Sequence, residues 1–169
     1  MTILETHRLR LRRLSVDAAA FYLGLVNEPS WLQYIGDKGV RTIEDAREAI
    51  LKGPVDMHER LGFSLLLVEL KEGNVPIGIC GLIKRESLKD VDIGFAFLPE
   101  FWGRGYAVES ASAVMAYGKN VVGLNRIVAI TSPDNHSSIR LLEKIGLKYE
   151  QTLRLADDGP ETRLFAHDF

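Results

Sequence analysis

The sequence contains a single cysteine and no long apolar run, and each shortage excludes a class of protein. Cys80 alone cannot form a disulfide within the chain, which excludes a small disulfide-stapled scaffold. It lies in an apolar segment, 77–83, so we interpret it as a small buried core residue rather than a nucleophile. No stretch approaches the roughly 18 apolar residues of a membrane-spanning helix, and no signal peptide precedes the first predicted strand. We therefore expect a cytoplasmic protein without a membrane partner.

The sequence also lacks an excess of either charge and lacks a metal-binding pattern. Its 21 basic and 23 acidic residues give a net charge of -2, which provides no general attraction to nucleic acid, so we expect no nucleic-acid partner. None of the four histidines pairs with another at i,i+4 spacing, and none has a cysteine companion. We therefore expect no metal site.

Internal repeats, low-complexity segments and Pro/Gly/Ser-rich linkers are absent as well, so residues 1–169 are predicted to form one domain. Apolar and charged fractions of 46% and 26% are typical of a globular protein with a sizeable core. Hydrophobic periodicity predicts an α+β fold, with a mixed, mostly antiparallel sheet of about seven strands and about four helices. The predicted strands are 6–14, 63–70, 75–83, 91–98, 126–131, 148–155 and 161–166, and the predicted helices are 18–26, 43–52 with a continuation to 61, 107–118 and 137–145.

The most informative stretch follows the apolar strand that ends at Pro99. Two glycines, Gly103 and Gly105, separate this strand from a helical pattern that begins near Ala107. Glycines at a helix N-terminus leave backbone N–H groups open to an anion, so the turn is predicted to bind a phosphate or pyrophosphate. Its spacing matches neither G-x-x-x-x-G-K-[ST] nor the dinucleotide-binding G-x-G-x-x-G. An ordinary glycine-rich turn remains the alternative.

A second motif follows the strand 126–131. Asn135 is placed to cap the helix 137–145, since its side-chain oxygen can accept a hydrogen bond from a first-turn N–H. The residues alone indicate only a capped helix that ends at Gly146.

Three segments together resemble the GNAT superfamily of acyl-CoA-dependent N-acyltransferases. Residues 102–107 resemble its [QR]-x-x-G-x-[GA] loop, although Trp102 stands where most members carry Gln or Arg. The opening 5–12 is similar to the start of the branch that acetylates the N-termini of ribosomal proteins. The helix after Asn135 resembles the coenzyme-side helix of the family, in which the matching residues are Asn135, Ser138, Lys144 and Gly146.

The resemblance implies a GNAT fold and a reaction between acetyl-CoA and a primary amine. In the family, a splayed strand edge binds the pantetheine arm through its backbone, and the glycine loop holds the pyrophosphate. The implied coenzyme-binding residues are Phe97, Leu98, Trp102, Gly103, Arg104, Gly105, Tyr106, Ala107, Asn135 and Ser138.

Three residues are implied to act in catalysis. The Leu98 N–H is the expected donor to the oxyanion, and Ser138 is expected to hydrogen-bond the thiol or thiolate. Many members place a Tyr proton donor on the last helix, but Leu142 occupies that position here. Asp92 is the expected general base, although strand alternation alone would also fit an exposed residue. Likewise, Ser138 could simply bond the helix backbone.

The acceptor is less defined than the coenzyme site. Trp31 and Tyr34 are the candidate acceptor contacts, and covering the edge of the core is the alternative for both. The leading hypothesis is a protein N-terminal α-amine as acceptor. A small amine, such as an amino acid, polyamine or antibiotic, is the second hypothesis, and an acyl-CoA-binding module with little catalysis is the third. The protein is expected to be a monomer or homodimer.

Overall fold

A mixed sheet of eight strands, in the order β1-β2-β3-β4-β5-β6-β8-β7, forms the centre of the molecule. The computed structural model describes residues 1–169. Every neighbouring pair is antiparallel except β5 and β6, which confirms the predicted α+β class and mostly antiparallel sheet. The strands are β1 Thr2–Glu5, β2 Leu9–Arg13, β3 Leu65–Leu70, β4 Pro76–Ile83, β5 Asp92–Phe97, β6 Arg126–Thr131, β7 Lys148–Arg154 and β8 Glu161–Asp168. The helices are α1 Ala19–Val26, α2 Pro29–Tyr34, α3 Ile43–Ile50, α4 Asp56–Leu61, α5 Tyr106–Tyr117 and α6 His136–Lys144.

The sheet has one strand more than predicted because the opening of the chain forms a hairpin. The predicted strand 6–14 is present as the shorter β2, and the additional strand β1 precedes it and is joined to it by a turn at Thr6. The Thr6 N–H donates to the Leu9 carbonyl at 2.9 Å, and the Leu9 N–H donates to Thr6 Oγ1 at 3.1 Å. With only four residues, β1 is too short to show a clear alternation in sequence.

The helices also exceed the predicted number. The helix α2 was not predicted; Pro29 occupies its first position, where the missing N–H costs nothing. A π-helical segment containing Pro54 connects α3 to α4. The expected continuation of the helix 43–52 to residue 61 is therefore present in the structure. A capping box starts α3, because Thr42 and Asp45 exchange hydrogen bonds between side chain and backbone.

Helices cover both faces of the sheet. Helix α5 packs on β2, β4 and β5 in one apolar cluster, which contains Leu9 and Leu11. Helices α1 and α3 belong to a second cluster with Leu67 and Ile79, whose side chains point to the other face. Cys80 is fully buried in the first cluster, and burial raises the pKa of its thiol to about 12, so its assignment to the core is confirmed. None of the helices has the length and apolar character needed to cross a membrane.

Candidate active site

The site begins where β5 and β6 separate. These parallel strands pair only at Asp92 and Val128, so they diverge towards their C-terminal ends. A cavity of about 1060 Å³ lies between them, lined by Phe95 and Phe97 of β5 and by Thr131 of β6. Diverging strands leave backbone groups of β5 without a sheet partner, and such an edge can pair with an extended ligand.

Hydrogen bonds to β4 decide which β5 amide faces this cavity. The Leu98 N–H donates to the Ile77 carbonyl at 2.9 Å, and Leu98 does not line the cavity. The sheet already uses the Leu98 N–H, which argues against the prediction that Leu98 supplies the oxyanion donor. Successive N–H groups of a strand point to opposite edges, so the Phe97 N–H faces the β6 side. The Phe97 carbonyl accepts a hydrogen bond from Trp102 Nε1 at 2.8 Å.

The backbone of the glycine loop is left-handed at both of its glycines. Gly103 and Gly105 have φ angles of +75° and +82°, and Gly105 forms the N-cap of α5. Residues with side chains rarely adopt this left-handed region, which explains why both positions are glycine. The loop residues that line the cavity are Trp102, Gly103, Gly105, Tyr106 and Ala107.

Arg104 is the loop residue that does not line the cavity. Its guanidinium lies 5.9 Å from the centroid of the Phe101 ring, and its side chain is exposed. The predicted contribution of Arg104 to coenzyme binding stays a prediction.

The loop is tied to the start of the chain by an ion pair that the sequence did not reveal. Arg8 Nε lies 2.7 Å from Glu109 Oε1, and the Arg8 N–H donates to Glu109 Oε2 at 2.9 Å. Thr6 Oγ1 donates to the same carboxylate. The Arg8 guanidinium also donates to the Arg104 carbonyl at 3.0 Å and stacks 4.3 Å from the Tyr106 ring centroid. Glu109 therefore anchors the glycine loop to the start of the chain through Arg8.

The second motif contributes the opposite wall of the cavity. Asn135 Oδ1 accepts a hydrogen bond from the Ser138 N–H at 3.3 Å, which confirms the predicted cap of α6. Both residues line the cavity. The Ser138 hydroxyl makes no hydrogen bond to the helix backbone, unlike Ser110, whose hydroxyl donates to the Tyr106 carbonyl. The alternative role suggested for Ser138 is thus not the one seen in the structure.

Asp92 is a buried carboxylate in the wall of the same cavity, not an exposed strand residue. Its side chain is 1% exposed, with Oδ2 3.3 Å from Arg85 Nε and Oδ1 buried without any hydrogen-bond partner. Burial raises the pKa of the Asp92 carboxyl, and the positive charge of Arg85 offsets only part of this effect. Such a carboxylate can accept a proton at a higher pH than an exposed one.

Trp31 and Tyr34, the two candidate acceptor contacts, both line the cavity. Trp31 is 5% exposed, and its Nε1 is buried without a hydrogen-bond partner. Two cationic residues that the sequence reasoning did not single out, Lys38 and Arg85, line the cavity as well. They lie outside the helices and strands and belong to no recognisable motif, so no sequence signal marked them.

No group of three or more His, Cys, Asp or Glu side chains in the chain is arranged to hold a metal ion. The functional groups that the cavity does bring together are the carboxylate of Asp92, the hydroxyl of Ser138, the backbone of β5 and the glycine loop.

Comparison with known proteins agrees with this arrangement. A family model described as an acetyltransferase (GNAT) domain matches residues 8–148. The protein YkkB of Bacillus subtilis, described as uncharacterized, is 34% identical over 160 residues, which cover 90% of this chain and 89% of that protein. YoaA of the same organism, described as an uncharacterized N-acetyltransferase, is 32% identical over 154 residues, with 90% and 86% covered.

Among solved structures, RimL, a ribosomal L7/L12 α-N-protein acetyltransferase in complex with coenzyme A, matches with a TM-score of 0.85. The alignment covers 100% of this chain and 98% of RimL at 21% identity. At 21% identity, this similarity shows only that the two proteins share a fold.

Proposed function

The chain belongs to the GNAT family of acetyl-CoA-dependent N-acetyltransferases, and we propose that Asp92 is the base that activates its amine acceptor. The observation that carries this proposal is the unpartnered Oδ1 of a carboxylate that is 1% exposed and lines the cavity. A buried acceptor atom without a hydrogen-bond partner is costly, so such groups are concentrated at functional sites. A bound amine, or a water that bridges to it, would supply the missing donor.

The reaction follows from direct attack within a ternary complex. The amine nitrogen forms a bond to the thioester carbonyl carbon, and the ammonium proton passes to Asp92, directly or through one water. The Phe97 N–H is the proposed donor to the oxyanion that develops on the carbonyl oxygen. The C–S bond then breaks, and the Ser138 hydroxyl donates a hydrogen bond to the thiolate that leaves.

The coenzyme is proposed to lie along the splayed edge of β5. Its pyrophosphate would meet the backbone N–H groups of 103–107, where the N-terminus of α5 and the glycine conformations favour an anion. Its pantetheine arm would then run beside Phe97 towards Ser138.

The proposed acceptor is the α-amine of a protein N-terminus. Two similarities support this choice: the opening segment 5–12, and the fold shared with RimL, whose own substrate is ribosomal L7/L12. A small amine is the second candidate, because the acceptor wall includes the buried side chains of Trp31 and Asp92, which suit a compact substrate.

The test compares Asp92→Asn with a matched control, Asp90→Asn. Both aspartates lie 3.3 Å from an arginine Nε, but Asp90 pairs with Arg126 and does not line the cavity. Thiol release from acetyl-CoA would be measured against N-terminal peptides, polyamines, amino acids and aminoglycosides. Loss of a general base should lower kcat about 10²- to 10⁴-fold in Asp92→Asn and leave Asp90→Asn near wild type.

The pH profile separates a base from a structural residue. Because burial raises the pKa of Asp92, wild-type kcat should rise with pH through that pKa as the carboxylate forms. The rise should be absent from Asp92→Asn and retained in Asp90→Asn with the same acceptor. An unchanged kcat in Asp92→Asn would remove Asp92 from the mechanism.

A further inference from the structure

The part of the cavity lined by Trp31 and Tyr34, the candidate acceptor contacts, contains a cation without a counter-ion. Lys38 lines the cavity and forms no salt bridge, and its Nζ lies 6.0 Å from the centroid of the Trp31 ring. The Trp31 indole N–H, buried and unpartnered, is a second donor at the same place. A buried N–H without an acceptor has a cost, which a bound acceptor atom would remove.

Arg85 adds a second positive charge to the lining of the same cavity. Its Nε is 3.3 Å from Asp92 Oδ2, but the side chain is 40% exposed and lines the cavity, so its terminal nitrogens remain free to bind another group. Lys38 and Arg85 line the same cavity as Trp31 and Asp92, and neither has another acidic side chain as a partner beyond the contact of Arg85 with Asp92. Glu28 also lines the cavity but forms no salt bridge with either cation.

We propose that Lys38, Arg85 and the Trp31 N–H bind a carboxylate that the acceptor carries beside its reacting amine; this inference rests on the proposed function. Two cations and an indole N–H offer a carboxylate several charge-assisted hydrogen bonds. Because Arg85 touches Asp92, a carboxylate bound by Arg85 places the neighbouring amine at Asp92. The acceptor is thus an amine with a nearby carboxylate, either a free amino acid or a peptide that begins with Asp or Glu.

The two sources of carboxylate are distinguished by isosteric pairs of acceptors. A peptide that begins with Asp is compared with the same peptide beginning with Asn, and free alanine is compared with alaninamide. Initial rates of thiol release give kcat/KM for each. The carboxylate form of one pair should be preferred roughly 10- to 100-fold, the ratio expected when one charge-assisted interaction is lost.

Variants then assign the preference to the proposed residues. Lys38→Met, at an exposed position, should reduce the preference at least several-fold, and Trp31→Phe should reduce it by removing the N–H while keeping an aromatic ring. Lys148→Met is the control, since Lys148 is exposed on β7 and does not line the cavity. It should keep the wild-type preference.

Calorimetric binding of the same acceptors to the coenzyme A-loaded protein supplies a readout that does not need turnover. Equal kcat/KM and equal affinity for both members of each pair would overturn the carboxylate site, while turnover of any amine would leave the proposed function standing. Selective binding of the carboxylate forms without any turnover would support the site and contradict the proposed function.

Discussion

Replacement of Gly105 by alanine tests whether the glycine loop holds the coenzyme. Gly105 has a φ angle of +82°, and Gly123, which ends the π-helical segment after α5, has a φ angle of +84°. The two positions therefore impose nearly the same backbone strain on an alanine. Gly123 does not line the cavity, so Gly123→Ala is a control for strain alone.

The strain fixes the expected loss of stability. An alanine in the left-handed region costs roughly 1–2 kcal/mol, which for a protein of this size lowers Tm by about 2–8 °C. A Cβ at Gly123 would meet no atom within 4 Å, whereas one at Gly105 would lie 3.3 Å from Arg8 Nη2. The tip of Arg8 can shift by a few tenths of an ångström, so the two variants should lose similar free energies of unfolding.

The affinity for coenzyme A should differ between Gly105→Ala and Gly123→Ala. If the amides of the loop hold the pyrophosphate, a distortion at Gly105 that loses one charged hydrogen bond weakens Kd roughly 10- to 100-fold. Gly123→Ala should keep the wild-type Kd. Thermal unfolding and calorimetric titration with coenzyme A measure the two effects. Wild-type affinity in Gly105→Ala, together with the expected loss of stability, would refute the assignment of the loop.

Two further substitutions test the residues around the loop. Ser138→Ala should lower kcat about 10-fold or more with little change in the Kd for coenzyme A, because its hydroxyl is proposed to act on the thiolate; an unchanged kcat would remove that role. Glu109→Gln should lower the free energy of unfolding by about 1–3 kcal/mol, since the carboxylate accepts hydrogen bonds from Thr6 and Arg8. Burial opposes ionisation of Glu109, but these hydrogen bonds lower its pKa overall. The difference from wild type, followed by denaturant unfolding at several pH values, should be complete above the unfolded pKa of about 4.3 and shrink as pH falls. A difference that does not depend on pH would contradict the ionic role.

Local patterns in the sequence predicted the parts of the site that depend on local geometry. Gly103 and Gly105 adopt left-handed conformations, and Asn135 caps α6, because turns and caps are decided within a few residues. Leu98, the predicted oxyanion donor, lies one position from Phe97, the donor that we propose. Successive amides of a strand point to opposite edges, so an error of one residue exchanges a free N–H for one that β4 already binds.

Residues that act through distant contacts could not be predicted in this way. The role of Glu109 could not be predicted because its partners, Thr6 and Arg8, lie more than 100 residues earlier in the chain. Lys38 and Arg85 belong to segments without a periodic pattern, and only the folded chain brings them to the same cavity as Asp92. Burial of Asp92 was equally invisible, since alternation along a strand does not show which face is covered.

The ion pair between Arg8 and Glu109 explains why the opening hairpin and the glycine loop depend on each other. A carboxylate in the first turn of α5 is favoured by the helix dipole, but it lies at the same helix end as the proposed pyrophosphate site and would repel that ligand. Arg8 removes this conflict, because its Nε pairs with Glu109 while its Nη1 donates to the carbonyl of Arg104 within the loop. One guanidinium thus neutralises the acid and holds the loop, and the position of Arg8 depends on the turn that joins β1 to β2.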